Sequence, residues 1–181
     1  MNLSVRTAGP DVEGLFAPFG RADDVPAYDY IPAAAVPPPY SDLLVHEHHM
    51  TVTVEAHHGD LVDVRILARR LDGDVYTRKI VLALQETGRV VQFGVARVHL
   101  DLCSAPVREA IVAGKTPLGR ILIQHNVLRR VEPTAFLRVH AGPAQMRWFD
   151  LSEPKDTYGR LAIVHCDGRP AVEVLEIVAP E

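Results

Sequence analysis

Two charged residues fall on strand faces that are otherwise apolar. In residues 75–84, VYTRKIVLAL, one face of a two-residue alternation carries Tyr76, Arg78, Ile80, Leu82 and Leu84. Arginine is almost never fully buried without a partner, and an isolated buried charge is very costly. Arg78 is therefore expected to meet something anionic. Near the C-terminus Val172, Val174, Glu176 and Val178 share a face, with Glu173 opposite. A carboxylate set among valines would be desolvated, its pKa would rise, and proton transfer would suit it. Two plainer arrangements give the same pattern. Arg78 and Glu176 could pair as a buried salt bridge, or the face taken as inward could be the outward one.

A third feature is GKTPLGRILIQHNVLRR, residues 114–130. Thr116 can cap a helix, and Pro117 suits the first helical position. Gly119 is costly inside a helix unless something approaches the backbone closely. That something could be a packing neighbour, or an anion seated on the unpaired N–H groups of a helix start. Five of the nine histidines lie in HEHHMTVTVEAHH: His46, His48, His49, His57 and His58. Their spacing matches no metal motif such as HExxH, so no metal site is expected. His48 or His49 is expected instead to line a pocket and hydrogen-bond an anionic ligand. GxSxG, P-loop and Rossmann phosphate loops are absent.

Alternation and turn residues supply the elements that must hold these groups. Residues 50–57, 61–69, 75–84, 90–100, 135–140, 161–166 and 171–179 read as strands, with HHGD, LDGD, ETGR and CDGRP as turns. Residues 41–47, 105–113 and 117–130 read as helices. Tight turns imply antiparallel pairing. The expected class is α+β, a mostly antiparallel sheet with two or more helices covering an internal pocket. Residues 1–40, rich in Pro and Ala, read as an irregular arm packed through Leu15, Phe16 and Phe19, and residues 41–181 as a single domain.

Composition narrows the function. The chain has 181 residues, 48% hydrophobic and 23% charged, as in ordinary soluble domains. A net charge of −4 argues against a general nucleic-acid binder. Cys103 and Cys166 are expected to be reduced. With no signal pattern and no apolar run long enough to span a bilayer, a cytoplasmic location without membrane insertion is expected. The oligomeric state is open.

The chain resembles the chorismate lyase family over about residues 40–180. HHMTVTVE resembles that family's first core strand, TRKIVLAL its arginine-bearing strand, and GKTPLGRILI its Pro-Leu-Gly turn and helix. DGRPAVEVLEIVAP resembles its final hairpin. The resemblance implies a carbon–oxygen lyase that eliminates pyruvate from chorismate to give 4-hydroxybenzoate, with no cofactor. It makes Arg78 and Glu176 the catalytic pair. Arg78 and the N–H groups of Met50 and Leu118 would hold the ring carboxylate, beside Gly119 and His49, and Glu176 would bond the phenolic oxygen. His49, Lys115, Arg120 or Arg97 would receive the second carboxylate. The alternative is a non-catalytic binder of another small carboxylated ring compound. The fold implied here also resembles the ligand-sensing (UTRA) domains of bacterial transcription regulators, although no attached DNA-binding segment is expected. A metal enzyme using the histidines is a third reading.

Overall fold

The last hairpin shows how local chemistry sets the framework. Asp167 and Gly168 both take left-handed φ, 51° and 78°, as a tight turn between twisted strands requires. Strands β6 (Thr157–Cys166) and β7 (Arg169–Val178) therefore lie antiparallel. In the computed structural model, which describes residues 9–20 and 24–181, five more strands extend this pair. They are β1 (Ala27–Ile31), β2 (Val62–Asp72), β3 (Val75–Leu84), β4 (Val90–His99) and β5 (Arg129–His140). Residues 1–8 and 21–23, part of the expected N-terminal arm, lie outside the described residues. The order is β1-β5-β6-β7-β4-β3-β2, every pairing antiparallel.

Helices cover both faces, which makes the domain α+β as expected. On one face α1 (Val12–Phe16) and α6 (Pro143–Phe149) pack on the sheet. There Phe93 stacks on Phe16 and Trp148, with ring centroids 6.1 and 3.6 Å away. On the other face lie α2 (Tyr40–Leu44), α3 (Met50–His58), α4 (Ala105–Ala113) and α5 (Leu118–Gln124). They form two separate apolar clusters. One joins α4 and α5 to Ala96, Val164 and Val174; the other joins α2 and α3 to Ile80, Leu82 and Val178. From the second cluster a row of residues crosses the sheet in register: Ile66, Ile80, Gly94, Glu176, Arg160, Phe136 and Ile31. Arg78 belongs to the next row, opposite Ala96 and Val174.

Several expectations are corrected. Residues 50–57 form helix α3, not a strand. Their alternation also satisfies a helical reading, because Met50, Thr51 and Val54 are the buried positions. Gly59, at φ 67°, ends the helix in the left-handed conformation that glycine favours, and burial of Met50 and Val54 overrides the β-preference of the Thr and Val residues. The helix expected over residues 117–130 stops at Gln124, and the chain re-enters the sheet at Arg129. Within residues 1–40 the described chain is not irregular throughout: α1 buries Leu15 and Phe16, with Phe19 packed beside them, and β1 adds an edge strand beside β5. Helix α6, headed by Gly142 and Pro143, was not anticipated.

One close approach constrains the sheet. A Cβ on Gly159 of β6 would lie 2.7 Å from the Glu176 carbonyl oxygen of β7, and backbone cannot yield as a side chain can. Gly159→Ala is expected to destabilise the protein by about 1–3 kcal/mol, as overpacking does, measured as a lowered denaturant midpoint.

Candidate functional site

The separation of the two clusters leaves a narrow hollow over the sheet, with about 60 Å3 open to the centre of a water molecule and about 580 Å3 only when open solvent at its mouth is counted. Strands supply its floor through Arg78, Ile80, Gly94 and Val174, and the starts of α3 and α5 supply its roof. Gly94 stands mid-row between Ile80 and Glu176 and contributes no side chain to fill the space. Most of the lining is apolar, as in small-molecule sites generally.

Arg78 reaches this hollow by the alternation of β3. It is 2% exposed. Its one hydrogen bond among the described residues goes from Nη1 to the Ile111 carbonyl oxygen at 3.4 Å, beyond the best range. That oxygen also accepts from Gly114 N–H at 3.2 Å. Ile111 lies in the last turn of α4, so the partial negative charge of the helix end gives Arg78 some compensation. Burial lowers the Arg78 pKa; the Tyr76 hydroxyl opposes this by proximity but makes no well-formed hydrogen bond. A guanidinium has five N–H donors. Most of those on Arg78 have no acceptor among the described residues, and no carboxylate pairs with it there.

Glu176 does not stand alone. Arg160 Nε donates to Glu176 Oε2 at 2.6 Å. Arg160 is fully buried, and its other donors bind the carbonyl oxygens of Leu44 (3.2 Å), His46 (2.8 Å) and His48 (2.9 Å). The salt bridge between Arg78 and Glu176 is not formed, but neither is the isolated carboxyl expected for proton transfer. Arg160 was missed because the strand was begun at Leu161. Begun at Thr157, its alternation puts Arg160 on the face of Ala162 and Val164, and the rule that singled out Arg78 applies.

The roof is built where two helix starts meet. No side chain caps α3 or α5 among the described residues. The cap expected from Thr116 is therefore not made, and Pro117 rather than Thr116 occupies the position before the helix. The first N–H groups of both helices, including those of Met50 and Leu118, have no acceptor within their helices. The close neighbour of Gly119 is now identified: a Cβ there would lie 3.0 Å from both His49 Cβ and Thr51 Oγ1. Glycine thus lets α5 butt against the start of α3, and the two helix starts line one cavity together. His49 lines it too, with Nε2 unpartnered among the described residues. Burial, helped by the Arg129 and Arg160 guanidiniums, pulls the His49 pKa down to about 4, so the ring is neutral at physiological pH.

Other candidates lie elsewhere. Arg97 is on the opposite sheet face, paired with Glu173 at 2.6 Å. Arg120 pairs with Glu55, tying α5 to α3. Lys115 is exposed. Among the described residues His57, His58 and Glu181 are the only group of metal-ligating side chains whose atoms converge. They sit on the surface, and Arg89 Nη2 already meets His58 Nδ1 at 3.1 Å. No described helix is long and apolar enough to cross a membrane.

No family model matches the chain, and neither does any curated protein. Solved structures do share its fold. The ligand-binding domain of a regulator assigned to the GntR family of transcriptional regulators, from Bordetella bronchiseptica, is similar at TM-score 0.50 and 17% identity, over 66% of this chain and 86% of that one. PhnF from Mycobacterium smegmatis is similar at TM-score 0.52 and 11% identity, over 75% of this chain and 65% of that one. At such identities the likeness is one of fold, the chorismate lyase-like arrangement. The expected lyase is thereby corrected. Nothing among the matched structures supports lyase activity: the one whose name states a role is a regulator's ligand-binding domain, and the carboxylate assigned to proton transfer is held by Arg160.

Two outcomes follow from these contacts. Arg160→Ala, which strands Glu176 and releases three carbonyls, is expected to cost about 3–5 kcal/mol, as breaking a buried pair does, read from chemical denaturation. His49 is lowered from 6.5 to about 4 in the native state. The unfolded chain therefore binds the extra proton first, and stability falls as pH drops through that window. His49→Gln should flatten this part of the stability–pH curve, and an NMR titration should leave the native His49 ring neutral down to about pH 4.

Proposed function

We propose that this chain is a small-molecule-binding domain whose cavity holds a small carboxylated ring compound through Arg78, with no chemical turnover. One observation carries the reading. A guanidinium 2% exposed faces an apolar hollow, and its one hydrogen bond among the described residues is 3.4 Å long. A buried charge compensated only by one long bond to a helix-end carbonyl is costly, and a carboxylate matches the guanidinium fork with two parallel bonds.

The surroundings support this. The N–H groups of Met50 and Leu118 begin two uncapped helices at the same cavity, where helix dipoles favour negative charge. Gly119 keeps those helix starts together, and His49, uncharged, adds a hydrogen-bonding group. The apolar floor, with Gly94 open at its centre, offers a flat face to a ring. A regulator's ligand-binding domain among the fold's solved members is consistent with binding as the role.

Benzoate and 4-hydroxybenzoate are suitable probes, titrated by calorimetry. Wild type is expected to bind at least one, and Arg78→Ala to weaken that binding by about 1.5–3 kcal/mol, the worth of a charge-assisted hydrogen bond. Undiminished binding by a folded Arg78→Ala protein would remove Arg78 from the site and the reading with it.

A further inference from the structure

Behind Arg78 lies a second group that the empty protein leaves unsatisfied. Tyr76 is 2% exposed, and its hydroxyl has no hydrogen-bond partner among the described residues. Alternation along β3 puts Tyr76 on the face of Arg78, two residues away, which is about 7 Å of strand. It stands opposite Val98 of β4, and Val98 stands opposite Val172 of β7. These residues share one apolar cluster with Val107 and Ile111 of α4. Tyr76 is not among the residues that line the hollow. A phenylalanine would fill its place without an orphaned polar atom. Leaving a buried hydroxyl unpaired lowers stability, and native structures rarely do so without a reason. Because the hydroxyl stands outside the hollow, its reason is to be sought in its neighbour, Arg78.

The chemistry of that neighbour fixes what the hydroxyl can do. A guanidinium has only donors, so a phenol beside it turns its oxygen, not its proton, toward it. Burial lowers the Arg78 pKa, and the Tyr76 oxygen works against that. In the empty protein the contact is not a formed hydrogen bond, and the other support of Arg78 is the 3.4 Å bond to the Ile111 carbonyl oxygen. The two supports come from different elements, β3 and the last turn of α4. A bidentate carboxylate uses two of the five guanidinium N–H groups. The Ile111 carbonyl takes a third, and the Tyr76 oxygen can take a fourth. One hold leaves a planar fork free to turn about a single bond, whereas two holds fix its plane. A bound carboxylate stops the fork from turning, and hydrogen bonds linked through one group strengthen one another in a low-dielectric site.

Resting on the reading that Arg78 takes a carboxylate, we infer that Tyr76 is a positioning residue of the anion site: its phenolic oxygen accepts an N–H of Arg78 when the carboxylate is bound and, with the Ile111 carbonyl, aims the guanidinium fork into the hollow. Tyr76 touches no ligand and acts through Arg78 alone.

The test is Tyr76→Phe, which removes one oxygen and keeps the ring. Thermal unfolding is recorded without ligand, binding of benzoate and 4-hydroxybenzoate is titrated by calorimetry, and the Arg78 Nε–H signal, assigned by its loss in Arg78→Ala, is followed by NMR. The variant is expected to melt no lower than wild type when empty. It should bind whichever acid wild type binds about three- to ten-fold more weakly, the worth of one neutral hydrogen bond. Its Arg78 signal, sharp in the ligand-bound wild type, should be broadened. Binding equal to that of wild type overturns the inference. Weaker binding with an unchanged Arg78 signal overturns it as well, because the loss would then come from the shape of the cavity. So does a variant that fails to fold or melts well below wild type, since the hydroxyl would then be holding the empty fold. In each of these outcomes the carboxylate reading stands, tested separately by Arg78→Ala. Failure of wild type to bind either acid overturns that reading and the role of Tyr76 together.

Discussion

The cavity depends on a buried guanidinium, that of Arg160, which a carboxylate already holds. Arg160 holds Glu176 at 2.6 Å and three carbonyl oxygens of the segment that leads into α3. Through it the sheet grips the loop, the loop fixes where α3 begins, and the start of α3 forms one side of the roof. Because Arg160 satisfies the only carboxylate in the row, Arg78 is left without one. A buried pair of this kind contributes little net stability compared with well-packed apolar residues. Its consequence here is positional, since it separates an occupied arginine from an unoccupied one on the same face.

The two arginines therefore show the same burial with opposite chemistry. Arg160 has partners on every side. Arg78 has a stretched bond to a helix carbonyl that is already shared, and the weakly negative end of α4. In a low-dielectric hollow an anion gains more from such a group than it would in water, since its attraction is less screened. Glu176, the carboxylate of the same hollow, is present only in its paired form.

Much of this was legible in the sequence. The hairpins followed from DG and TG turns, and the antiparallel sheet followed from the hairpins. Arg78 was located by one rule, a charge on an apolar face, and it is buried on that face. The same rule reached Glu176 but not its partner, because the LAIVHC strand was entered one residue after Arg160. Period misled at residues 50–57. Nine residues of MTVTVEAHH fit alternation and a helical stripe about equally well, and only the packing of Met50 and Val54 under α2 decides between them. Tyr76 was legible on the same face as Arg78, but not as a hydroxyl without a partner. What the sequence could not supply is pairing across space: which carboxylate meets which guanidinium depends on strand order, and strand order is not a local property.

Gly119 brings these threads together. Glycine is costly inside a helix, so its place here needs a close neighbour. The atom it makes room for is protein, His49 Cβ at 3.0 Å, so its immediate role is packing. Yet the packing it permits is the meeting of two uncapped helix starts above Arg78, a buried arginine that pairs with no carboxylate among the described residues. Uncapped starts and a partly bonded guanidinium each weaken the empty fold, and a chain selected for stability alone would have capped or paired them. Their convergence on one hollow is therefore better explained by a ligand that completes both than by unrelated flaws.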